Sequence, residues 1–130
     1  MLQEKTKYDF REWLEDYAKG ELAKHYSLQG IDKIFNYLEG LQDQGDELIK
    51  DLSPTDIRII FNEYPSLDTI LFDVCEYIKE DIEGLDKKEL IHAWLGRESE
   101  ASMNGREGEL LEIEHFDNKP TYIIASWINH

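Results

Sequence analysis

Apolar residues keep helical spacing from Phe10 to Leu95, and then alternate with polar ones after residue 108. Spacing of three and four residues buries one stripe of a helix, whereas alternation buries one face of a strand. The chain must therefore join helices to a small amount of sheet, in that order. Thr6 is placed to cap a first helix, with Asp9 in the capping-box position, and Phe10, Trp13, Leu14, Tyr17, Ala18 and Leu22 carry its stripe to about Tyr26. A second helix is predicted over 28–42 through Ile31, Ile34, Phe35, Leu38 and Leu41, and a short helical piece over Asp46 to Leu52.

Ser53-Pro54-Thr55-Asp56 is a strong helix start, followed by an apolar face of Ile57, Ile60, Phe61 and Tyr64 and a stop at Pro65. The clearest helical pattern covers residues 67–83, with Leu67, Ile70, Leu71, Val74, Ile78 and Ile82 on one face and Gly84 at the end. Asp86 to Glu89 opens another helix, closed by Gly96. Residues 97–108 are polar turn formers around Asn104-Gly105. Glu109 to Phe116 and Thr121 to Ile128 then read as two strands joined by the turn Asp117-Asn118-Lys119-Pro120. An isolated hairpin is marginal in water, so this one must pack on helices or pair with another chain. The expectation is a mainly helical α+β single domain over 1–130: five or six helices within about 6–96, then an antiparallel β-hairpin within about 109–128. At 130 residues, 41% hydrophobic and 12% aromatic, the chain has the material for a core without a disulfide or metal.

Charge narrows the function. There are 29 acidic against 14 basic residues, a net charge of −15, where small soluble domains carry roughly 2–8 in magnitude. The basic residues are scattered, Lys87-Lys88 being the only adjacent pair, so no direct nucleic-acid or membrane binding is expected. Cys75 is the only cysteine, which excludes an intramolecular disulfide and fits a reducing cytoplasm. The opening MLQEKTKYDF has no apolar signal core, and no run approaches the ~18 residues of a membrane span.

No phosphate-binding glycine loop, Gly-x-Ser-x-Gly elbow or His-Glu-x-x-His pattern is present. Glu89 and His92 form one Glu-x-x-His pair, whereas di-metal bundles use two with further glutamates. Cys75 lies beside Leu71 and Ile78 in an acidic segment, which opposes a reactive thiolate. A catalytic role, a metal and a cofactor are therefore not expected.

The acids are concentrated. Residues 66–86 and 98–117 each hold seven acids and one base. In a continuous helix, Asp73, Glu76, Glu80 and Glu83 fall within an arc of about 80°, opposite the apolar stripe. Glu112 and Glu114 would share a strand face about 6.8 Å apart, beside Glu107 and Glu109. Such rows suit a groove built for phosphates, which rise ~3.4 Å per charge along a strand.

In size, net charge and acidic rows the chain resembles the small acidic inhibitors of phages and mobile elements, including anti-CRISPR and anti-restriction proteins that imitate DNA. It is also similar to acidic immunity proteins that plug nuclease toxins. The resemblance is compositional, spans the whole chain and includes no motif, so it carries over no residue. It implies an inhibitor in a bacterial host's cytoplasm whose partner is a basic nucleic-acid-binding protein such as a nuclease. The partner-binding residues expected are Asp73, Glu76, Glu80, Glu83, Glu107, Glu109, Glu112 and Glu114. The alternative is a non-catalytic adaptor whose acidity serves solubility, binding through an apolar hairpin surface, with Thr121–Ile128 pairing edge to edge in a homodimer.

Overall fold

A computed structural model describes residues 7–18, 24–45, 49–99, 108–115 and 119–127. The fold is mainly helical α+β, and the chain divides into two compact units, Met1–Ile59 and Ile60–His130.

In the first unit, α1 (Lys7–Ala18) packs on α2 (Leu28–Asp43). Of the stripe expected on α2, Ile31, Ile34, Phe35 and Leu38 are buried and Leu41 is half-buried; on α1, Phe10 and Leu14 face inward, whereas Tyr17 is exposed. The Phe10 and Phe35 rings meet at 5.4 Å. Arg11 grips Asp32 with two guanidinium nitrogens, its Nε donating at 2.9 Å. Ser27 caps α2, its Oγ accepting from Gly30 N–H at 2.9 Å. The piece expected over Asp46 to Leu52 is a 3₁₀ turn at Ile49–Asp51, with residues 46–48 outside the described set. α3 (Pro54–Ile60) begins at the predicted box, where Ser53 N–H donates to Asp56 Oδ2 at 2.8 Å and Asp56 N–H to Ser53 Oγ at 3.2 Å.

The second unit departs from expectation in three places. First, the helix predicted through Tyr64 stops at Ile60, and Phe61–Tyr64 forms a strand, β1. Ile59 to Tyr64 is poor in strong helix formers, and its β-branched and aromatic residues suit a strand once a partner is available. That partner is β3 (Thr121–Ala125), paired antiparallel from Phe61 opposite Ala125 to Tyr64 opposite Tyr122. β2 (Glu109–Ile113) pairs with the other side of β3, giving the order β1-β3-β2. The hairpin is present as expected, within a three-stranded sheet. Because β3 is central, both its backbone edges are occupied. The edge-to-edge pairing expected of Thr121–Ile128 is therefore closed to it, and residue 128 lies outside the described set.

Second, the continuous helix predicted over 67–83 does not form. A single turn, α4 (Leu67–Thr69), runs into a π-helical turn at Ile70–Val74, and α5 (Lys79–Ile82) starts afresh after Ile78. Third, α6 (Lys87–Ser99) passes through Gly96 instead of ending there. These helices cover one face of the sheet. Ile70, Leu71, Ile82, Ile91 and Leu95 form a core with Tyr122 and Ile124, flanked by Tyr64 and Leu110. Ile123 and Ala125, on the opposite face of β3, are also buried, as are Phe61 and Trp127, whose rings meet edge-on at 6.3 Å. Among the described residues, no helix is long and apolar enough to cross a membrane.

Candidate functional site: acidic side chains of the second unit

Why the 67–83 helix breaks decides where its carboxylates point. A continuous helix would place Asp73/Glu76, Glu76/Glu80 and Glu80/Glu83 at like-charge spacings of three and four, each costing ~0.2–0.5 kcal/mol. It would also set Glu80, Asp81 and Glu83 near its C-terminal end, against the helix dipole. The break reverses that arrangement. Glu80 and Asp81 now occupy the first turn of α5, and Asp81 Oδ2 accepts from Ile78 N–H at 3.3 Å. The upstream turn closes through Cys75 N–H to Ile70 O and Tyr77 N–H to Leu71 O, both 3.0 Å. Glu76 makes the reversal with φ at +61°, a left-handed position that glycine usually fills at a helix end. For a residue with a side chain this costs roughly 1–2 kcal/mol.

The carboxylate row on one helical face is thus corrected: Asp73, Glu76, Glu80 and Glu83 are all exposed but lie on three successive local structures. The partners of their acidic neighbours set them apart. Asp68 Oδ1 lies 2.6 Å from Lys87 Nζ, Asp81 caps Ile78, and Asp86 Oδ1 accepts from Glu89 N–H at 3.1 Å. Asp73, Glu76, Glu80 and Glu83 form no ion pair with another described residue.

The second acidic group is also corrected. Glu109 is exposed at the start of β2, but β2 ends at Ile113, so Glu114 lies beyond the strand and does not continue the face of Glu112. Glu112 is half-buried and already engaged, with Lys88 Nζ donating to its Oε1 at 3.1 Å. That hydrogen bond and charge raise the Lys88 pKa. Glu107 lies outside the described residues. What the structure does bring together is a pocket of about 290 Å³ lined by Glu112, Glu114, His115 and Pro120. His115 Nε2 and Thr121 Oγ1 are 2.8 Å apart beside it. Lys88 and His115 had no local signature, because their partners arrive only through the fold.

Three further groups are shifted by their surroundings. Burial first, then Glu112, pushes the Tyr122 phenol up, while Lys88 opposes. Burial first, then Asp73, does the same to Tyr64. Burial first pushes the Cys75 thiol up to about 11, with Arg97 opposing and Glu98 adding. A thiol so held is a poor nucleophile at neutral pH. Among the described residues, no cluster of three His, Cys, Asp or Glu is placed to hold a metal ion.

Compared with protein-family models, curated proteins and solved structures, the chain shows no match.

Proposed function

We propose that this protein is a non-catalytic inhibitor that binds the basic nucleic-acid-binding surface of a nuclease or nucleic-acid-guided effector and blocks access of DNA or RNA by its negative charge, as anti-CRISPR and anti-restriction proteins do. One observation carries the reading. The second unit's Lys87 and Lys88 pair with Asp68 and Glu112, while Asp73, Glu76, Glu80 and Glu83 stay exposed with no cation partner among the described residues. Residues 60–130 hold sixteen acidic and six basic side chains, and the internal pairing of two of those cations leaves a strongly negative field. Such a field raises the encounter rate with a basic surface and falls off with salt. The broken helix removes the regular phosphate-like spacing, so the reading rests on field strength and not on a matched register.

The test is capture of partners from a bacterial lysate at low and high salt, followed by competition with DNA. A salt-labile nuclease or guided effector, displaced by DNA, supports the proposal. Replacing Glu76→Lys together with Glu80→Lys then weakens capture while the melting temperature stays near that of the parent. A salt-resistant partner with no nucleic-acid role would instead favour the adaptor reading, through a surface other than the backbone edges of β3.

A further inference from the structure

We infer that Ile70–Glu83 is a two-state element, held in the broken form by repulsion among its own carboxylates and able to close into one continuous helix when that charge is neutralised. The inference rests on three features and does not depend on the proposed function. The first is the apolar pattern. Leu67, Ile70, Leu71, Val74, Ile78 and Ile82 keep helical spacing through the break, yet Ile78 is 58% exposed. The second is Glu76, a residue with a side chain in the left-handed position at φ +61°, where neither a continuous helix nor an extended strand would place it. The third is the π-helical turn at Ile70–Val74, in which Cys75 N–H reaches back five residues to Ile70 O, a wider winding than an α-helix uses.

The broken form packs Val74, Cys75 and Tyr77 against the core, so closing the helix has to move Tyr77 off it. Closing the helix relieves the left-handed Glu76 and turns Ile78 onto the face that carries Leu71 and Ile82, at about 100° per residue. It costs the Tyr77–Arg97 hydrogen bond of 3.1 Å and the Asp81 cap on Ile78, and it brings Asp73, Glu76, Glu80 and Glu83 onto one arc. The last of these costs depends on charge, so charge selects the form. The turn at Glu83–Asp86, with Gly84 at φ +78°, provides the slack for α5 to move.

The test uses the full chain alone, by NMR. In the broken form Lys79 and Glu80 sit in the first turn of α5, where amides have no intrahelical acceptor. In the closed form they donate to Cys75 and Glu76. Glu76→Gln with Glu80→Gln removes all three like-charge pairs at little change in helix propensity. The expected result is helical Cα shifts at 75–78 and at least tenfold slower exchange of the Lys79 and Glu80 amides. Glu76→Gly with Glu80→Gln, which makes the left-handed turn easy, keeps the parent values. If the glutamine variant does not fold, the parent chain in 1 M NaCl, where screening shortens to about 3 Å, is expected to shift the same amides in the same direction. Parent-like shifts and exchange in the folded glutamine variant, or no response to salt where that variant cannot be had, overturn the inference.

Discussion

Glu112 stands directly opposite Tyr122 in the β2–β3 register, and Lys88 holds it there from α6. The phenol therefore ionises beside a carboxylate and an ammonium of opposite effect. Glu112→Gln is expected to lower the Tyr122 ionisation midpoint, and Lys88→Ala to raise it. In both variants it stays above the ordinary value of 10, because burial is the larger cause. A titration followed by the Tyr122 ring-carbon shift reads both. Movement in the same direction for the two variants would contradict the arrangement.

Cys75 links stability to alkaline pH. Its thiol ionises at 9.0 when free and at about 11 in the fold. The folded value is the raised one, so the unfolded chain loses its proton first. Stability is fully present below pH 9 and declines as pH rises through the interval to about 11. Denaturant melts between pH 8 and 11 should show this decline, with a shallower slope in Cys75→Ala. Some slope remains in that variant, because Tyr64 and Tyr122 are raised as well.

Two glycines should respond oppositely to alanine. A Cβ at Gly96, inside α6, meets nothing within 4 Å, so Gly96→Ala is expected to stabilise by about 0.5–1 kcal/mol through helix propensity. A Cβ at Gly108 would lie 2.6 Å from Ala125 O and 2.9 Å from Leu95 Cδ2. The first of these is backbone and cannot swing away, so Gly108→Ala should destabilise by ~1–3 kcal/mol, as overpacking does. Thermal melts of the pair give the signs.

The helix starts offer a smaller test. Ser27 and Ser53 each accept a backbone N–H three residues on, at 2.9 and 3.2 Å. Replacing either with alanine should cost about 1 kcal/mol, and Ser→Gly less than Ser→Ala. Equal melting temperatures for all four variants and the parent would mean that neither cap operates.

Legibility in the sequence followed the range of the interactions. Ser53, Pro54 and the starts of the two hairpin strands are local signals, and they appear where expected, although β2 and β3 stop short of the predicted ends. Phe61–Tyr64 failed because its decisive partner, β3, lies far along the chain, and the residues that fit a helical face also fit a strand. The 67–83 segment failed for a different reason. Its apolar period is sound, but charge and the Asp81 cap favour a new start at Ile78, and that competition is invisible to a count of apolar residues. The acidic residues were individually placed at the surface as expected for Asp73, Glu76, Glu80, Glu83 and Glu109. Their alignment into rows failed with the helix, and Glu112 was drawn inward by Lys88.

The central position of β3 also sets an order of events. β1 and β2 do not touch as strands, and each has β3 as its neighbour, so no part of the sheet exists before that strand does. Phe61 and its partner Ala125 are 64 positions apart. On a ribosome, Phe61–Tyr64 emerges long before the strand that makes it one, and until then only its helical spacing behind α3 has anything to act on. β3, synthesised after both its neighbours, therefore has to recruit a segment already free to coil, which makes closure of this small sheet a late step governed by distance along the chain.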